Sequence, residues 1–248
     1  MNTLMENGWR PVREAVAAAS RQLIMIGALA LLGATSLAAQ NVELQQKLAA
    51  VKRSVIENKQ RLQQYQWYES VQLTLKGEPK PASQNLCRYA PDGTVQKTPI
   101  GPPPPPPSGG RLKQKIVAKK KEEMQDYMGD VKNLLSLYVP PDPQKMQQAY
   151  QSGNFSLNPA GGMLNLIFAN YAQPGDKLTV RFDQAAKKIT ALHVDTYMGE
   201  AKDVVTLDVT MSTLPDGTNF VLKTVLNATA KQLVVTTINS NYQKLAAN

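Results

Sequence analysis

The chain has 248 residues, with 28 lysines and arginines against 19 aspartates and glutamates, for a formal net charge of +9 at pH 7. Its single cysteine, Cys87, and single histidine, His193, exclude an internal disulfide, a cysteine-based metal cluster and most zinc sites. The cationic excess is moderate and scattered; it reads as solvated surface, with attraction to anionic lipid or another polyanion as the alternative.

Residues 23–39, LIMIGALALLGATSLAA, form an uncharged apolar run preceded by Arg10, Arg13 and Arg21 against Glu6 and Glu14. A net-positive stretch, an apolar core and a small-x-small ending at Ser36-Leu37-Ala38 match the pattern read during export. Residues 1–39 are therefore expected to be a signal peptide cut near Ala38 or Ala39, with the protein working in the periplasm or secreted. The competing reading is an uncleaved anchor, because about 17 apolar residues reach the lower edge of a bilayer-spanning helix. Residues 40–248 are expected to form a single domain, long enough to bury a real core.

Residues 41–64 hold no glycine or proline and space Leu44, Leu48, Val51, Val55 and Leu62 at helical intervals, with lysines and arginines on the other face. From Tyr65 the chain reads YQWYESVQLTLKG, in which Val71, Leu73 and Leu75 alternate with Gln72 and Thr74 as in a strand. Residues 85–100 carry Asp92-Gly93 between two extended arms, a hairpin signal, and Cys87 within it reads as a small hydrophobe. The stretch 101–110, GPPPPPPSGG, is a polyproline II loop, either a stiff spacer or a ligand for an aromatic-lined groove.

Residues 111–139 predict a long helix stopped by Pro140-Pro141, with a cationic first half containing Lys119, Lys120 and Lys121. That half is either a solvated outer face or a segment able to lie on an anionic membrane. Asp142 and Pro143 predict a capped short helix ended by Ser152-Gly153. Residues 157–172 fit a short buried helix or a strand. The last third reads as a five-stranded meander over 177–183, 188–198, 203–213, 219–228 and 232–242, with one apolar face and one polar face carrying Thr179, Arg181, Thr206, Asp208 and Thr210.

Candidate chemistry is sparse. Asp183, Asp195, Asp203 and Asp208 lie in or beside consecutive strands, and a pair facing one groove would suit a hydrolase, although turns in a meander also collect aspartates. Ser156, Ser212 and Ser240 sit in no nucleophile motif, and Gly161-Gly162 lacks the Lys-Ser or Lys-Thr of a phosphate loop. His193 is placed on a strand face with Ile189 and Tyr197, at the edge of the core. No enzymatic activity, cofactor, metal ion or nucleic-acid partner is expected.

The segments YQWYESVQLTL, RYAPDGTV and KLTVRFDQAAKKITAL, with the exported N-terminus and terminal meander, make the chain resemble the LolA/LolB-type periplasmic lipoprotein carriers. The resemblance implies an α+β fold: a curved antiparallel β-sheet, or incomplete barrel, with an N-terminal helix and internal lid helices, whose concave apolar side holds acyl chains. By the same resemblance the cavity is lined by Trp67, Val71, Leu73, Leu178, Val180, Phe182, Leu207, Val209, Phe220 and Leu222. Residues 111–139 and 143–171 are then lid material, and the partner is a lipid or an acylated protein. The same apolar residues also fit a filled core. The hexaproline insertion and the long basic helix depart from the family pattern. The alternative function is an envelope interaction module that engages a protein or an anionic membrane surface through the proline loop and Lys119, Lys120 and Lys121.

Overall fold

The computed structural model describes residues 57–101, 111–183, 185–186 and 188–246. The apolar leader, the upstream part of the helix expected over 41–64 and the six prolines lie outside the described residues. Residues 57–62 are helical and lead directly into the sheet. The strands are β1 (Tyr65–Leu75), β2 (Glu78–Pro79), β3 (Ser83–Tyr89), β4 (Val95–Ile100), β5 (Phe155–Ala160), β6 (Met163–Ala169), β7 (Lys177–Asp183), β8 (Lys188–Tyr197), β9 (Val204–Thr213), β10 (Asn219–Ala228) and β11 (Leu233–Lys244). Two helices, α1 (Arg111–Leu135) and α2 (Pro143–Gln151), separate β4 from β5.

All eleven strands belong to one curved antiparallel sheet in the order β4-β3-β1-β11-β10-β9-β8-β7-β6-β5, with the short β2 paired to β1. The sheet is not closed into a barrel, and the class is α+β. Seven consecutive hairpin-linked strands, β5 to β11, are joined to β1, β3 and β4 by pairing β1 with β11 across most of the chain, with Val71 opposite Thr237 and Leu75 opposite Leu233. Period-two patterning explains the sidedness: Leu178 and Val180 are fully buried and Phe182 nearly so, while Arg181 between them is exposed.

One apolar face is covered by the helices. Met128, Val131 and Leu135 recur along α1 at helical spacing and are buried against the sheet with Met146 and Ala149 of α2. They share one core with Leu164, Leu166, Phe168, Leu178, Val180, Val194, Leu207 and Leu226. Asp142 caps α2 as expected, its carboxylate accepting from the Gln144 N–H at 2.8 Å ahead of Pro143.

The two sheet edges share a detail. The Ala90 N–H donates to Thr94 O at 2.7 Å, so bonded pairs between β3 and β4 fall on even-numbered residues and Val95, Lys97 and Pro99 turn their amide positions outward. The Ala169 N–H donates to Asn154 O at 2.8 Å, which by the same alternation points the amide positions of Phe155, Leu157 and Pro159 away from β6. Each edge therefore carries one proline where a free N–H would otherwise stand, a placement that costs no ladder bond and interrupts pairing with another strand.

Several expectations are corrected. Residues 155–169 form a hairpin about Gly161-Gly162, both at positive φ (55° and 82°), so the lid beyond α1 is the nine-residue α2 alone. A register shift between Arg181 and Phe182 falls where β8 runs from Ile189 to Ala191, and it takes His193 off the face of Ile189. Ile189 is buried in the core, whereas His193 lies with Asp195 and Asp208 on the polar face. A second shift between Val221 and Lys223 puts Val221 in the core and leaves Leu222 37% exposed, so Leu222 does not share the inward face expected of it.

Candidate functional site

The ten residues expected to line a cavity divide into three groups. Val71, Leu73, Leu178, Val180, Phe182, Leu207 and Val209 come together on the helix-covered face, within the same core as Met128, Val131 and Met146. Trp67 and Phe220 belong to an aromatic cluster at the other end of β1. There the Trp67 ring stacks on Tyr242 at 5.4 Å and 9°, Tyr89 tilts against it at 5.4 Å, and Phe220 meets Tyr242 at 4.4 Å. Leu222 stands apart on the bulge.

The lid is fixed at its C-terminal end by a polar anchor. After α1 the chain turns through Ser136 to Val139, which buries Tyr138 and aims its hydroxyl at Asp176 (2.5 Å) and Thr196 (2.7 Å). Asp176, 2% exposed, accepts further bonds from the backbone N–H groups of Tyr171 (2.5 Å), Ala172 (2.9 Å) and Gln173 (2.7 Å). The turn Gln173-Pro174-Gly175 wraps the β6–β7 connection around this carboxylate, so one side chain orders a loop and holds the end of α1. Burial, and then the Asp176 bond, push the Tyr138 phenol above its ordinary range; burial lifts Tyr171 to about 12. A second tie runs from the Tyr127 hydroxyl to Asp203 at 3.0 Å.

A further polar network supports the aromatic cluster. The buried Glu69 carboxylate accepts from Asn85 Nδ2 at 3.1 Å and pairs with Lys97 Nζ at 2.5 Å. Asn239 accepts from Trp67 Nε1 at 3.1 Å and donates to Val221 O at 2.9 Å. Asn58 bonds both the N–H and the C=O of Asn219, at 2.7 and 3.1 Å, and so docks the helical residues 57–62 on the start of β10.

On the opposite, polar face His193 bridges two strands. Its Nδ1 lies 2.6 Å from Asp208 and its Nε2 2.9 Å from Asp195, with Lys177 3.8 Å from the other oxygen of Asp195. With both ring nitrogens against carboxylates, the imidazolium can donate twice. Desolvation opposes that charge, but the two aspartates outweigh it and raise the pKa above the usual 6.5. The other two candidate aspartates are elsewhere: Asp183 accepts from the Ala185 and Ala186 amides at 2.9 Å, and Asp203 holds Tyr127. Asp195 and Asp208 thus meet around a histidine and not around an open groove. Among the described residues no group of three or more His, Cys, Asp or Glu is placed to hold a metal ion.

This clamp makes a pH prediction. A raised folded pKa means the stabilisation is complete below the unfolded value near 6.5 and is lost as pH rises through the folded value. Because His193, Asp195 and Asp208 are all more than a third exposed, the loss is expected to be under about 1 kcal/mol. Urea midpoints should fall modestly between about pH 6 and about pH 8, and His193→Gln should flatten that slope.

The sequence pointed to the apolar stripe but not to its fastenings. Asp176 follows Pro174-Gly175 in a turn, and its second task shows only in the approach of Tyr138 from beyond α1. The weak signal available was a tyrosine at helical spacing just before Pro140-Pro141.

The fold and site define a class: an α+β protein with an open antiparallel sheet and two helices fastened over its apolar face. No family model matches the chain, and no curated protein matches it. Among solved structures, a DUF1329 family protein from Desulfovibrio piger is similar at 8% identity and a TM-score of 0.32, over 76% of this chain and 90% of that one. That neighbour is distant. No helix among the described residues is long and apolar enough to cross a membrane.

Proposed function

We propose that this is an exported, non-enzymatic protein that takes an acyl chain, free or attached to a partner protein, onto the concave apolar face of its sheet beneath α1 and α2. The supporting observation is how the lid is attached. The sheet is held by its own ladders, whereas α1 meets it through the stripe of Met128, Val131 and Leu135 with Met124, Tyr127 and Leu134 beside it, through the Tyr127 hydroxyl, and through the buried Tyr138 just beyond its end. Lifting α1 would uncover Leu178, Val180 and Leu207 without breaking a ladder bond, and these are the branched aliphatic surfaces an alkyl chain packs against.

In the described conformation that face is shut: Leu178, Val180 and Leu207 have no exposed surface. Loading therefore requires the helix to move, and a bound chain would replace the contacts α1 gives up. Export rests on residues 1–39 and the absence of catalysis on the lack of a nucleophile motif, both readings of the sequence. The test is native mass spectrometry of the protein purified from its own envelope, followed by titration with a long-chain fatty acid. A co-purifying acyl mass, or saturable one-to-one uptake, is expected. A ligand-free protein that takes up no acyl chain on titration overturns the proposal.

A further inference from the structure

The described side chains in the first half of α1 do not lie on the sheet. Lys115, Ile116, Lys119, Lys120, Glu122 and Glu123 are all exposed, Ile116 at 53%, and burial begins only around Met124 and Met128. The cause is in the register. The buried stripe runs 135, 131, 128, 124, and one turn back it meets Lys120 and Lys121 in the sequence; an ammonium cannot be laid on an apolar sheet face without a large desolvation cost.

The charges in this half also work against the helix that carries them. Residues 111–121 hold Arg111, Lys113, Lys115, Lys119, Lys120 and Lys121 with no acidic residue, and the first turn has none. Cations at a helix N-terminus oppose the macrodipole, and Arg111, Lys115 and Lys119 repeat at four-residue steps, a spacing at which like charges repel. Such an arrangement is unfavourable alone and is relieved by an anionic surface.

The position of Ile116 says which kind of surface. At 3.6 residues per turn it lies between Lys115 and Lys119 on one side and Lys120 on the other, with Leu112 four residues earlier in the sequence. An exposed apolar side chain flanked on both sides by lysines suits a lipid headgroup layer, where it enters the acyl boundary and the lysine stems reach up to phosphates. Glu122 and Glu123 close the patch on the side nearer the core.

We infer that the projecting first half of α1 seats this protein on an anionic lipid bilayer, with Ile116 inserted and Lys115, Lys119 and Lys120 on the headgroups. This inference does not depend on acyl binding beneath the lid, and the two fail separately: vesicle partition reads the first and acyl titration the second. The experiment is cosedimentation of the full chain with vesicles of phosphatidylcholine alone and with phosphatidylglycerol added. The readout is the ratio of the two partition coefficients, which cancels any insertion of the apolar run at 23–39 common to both.

The ratio should exceed one strongly for the natural sequence. At about fivefold per lysine near a charged surface, the triple variant K115A/K119A/K120A should lower it by about a hundredfold. Ile116→Ser should weaken phosphatidylglycerol binding while leaving the salt dependence intact. An unchanged ratio in the triple variant overturns the inference. So does equally tight binding to heparin or duplex DNA that Ile116→Ser leaves unaffected, since the occupant would then be a polyanion.

Discussion

Asp176→Ala should unfold at markedly lower urea and lose about 3–4 kcal/mol of stability, because it strands one buried and two part-buried backbone N–H groups and leaves the Tyr138 hydroxyl with Thr196 alone. For a domain of this size that corresponds to roughly 10 °C in melting temperature. Asp176→Asn is the informative companion. It keeps one acceptor oxygen but turns an NH2 toward donors, so it should recover only part of the loss. Tyr138→Phe should cost less than either, since it removes one donor and leaves the three amides satisfied. Equal midpoints for Asp176→Ala and the natural sequence would mean that water reaches the loop amides and that the carboxylate is not what fastens the helix.

Met128→Ala should cost about 2–4 kcal/mol, the usual range for truncating a fully buried methionine, and should act on function as well as stability. Met128 belongs to the lid, so its loss weakens the closed arrangement relative to one with α1 lifted. Uptake of a fluorescent long-chain fatty acid should become faster than in the natural sequence. Phe168→Ala provides the control. Phe168 is equally buried in the same core but belongs to β6, and its truncation, at about 3–5 kcal/mol, should destabilise without speeding uptake. Matching uptake rates in the two variants would show that α1 does not gate the apolar face.

Much of the sheet was legible in the chain because alternation and turn chemistry are local. Leu178-x-Val180-x-Phe182 and Val205-x-Leu207-x-Val209 declare their buried faces without reference to any neighbour, and Asp92-Gly93 and Pro215-Asp216-Gly217 mark hairpins by backbone preference. Two kinds of feature were not legible. Bulges at Thr190 and Leu222 insert one residue and invert the side on which everything beyond them falls, which is why His193 and Leu222 were placed on the wrong face. The hairpin at 155–169 was hidden because FSLNPA is nearly all exposed, with no apolar period for an edge strand to show.

The fastenings were illegible for a different reason. Glu69 with Lys97, Asn58 with Asn219 and Tyr138 with Asp176 join residues 28 to 161 positions apart, and nothing in the local sequence announces such a pairing. Seven of the ten apolar residues named from the sequence, six aliphatic and Phe182, share the covered face, since a stripe needs no partner to be recognised. What covers them depends on the path of α1.

The prolines at positions 99 and 159 bear on the girth of the molecule. In a sealed cylinder the number and stagger of strands fix the diameter, but among the described residues β4 and β5 stand as rims at opposite ends of the strand order and do not pair with each other. Because each rim lacks one outward amide, a neighbouring molecule finds an incomplete template there, and the gap resists being filled by self-association. The separation of the two rims is therefore not set by strand count and stagger, and a change in it requires no rearrangement of strand order.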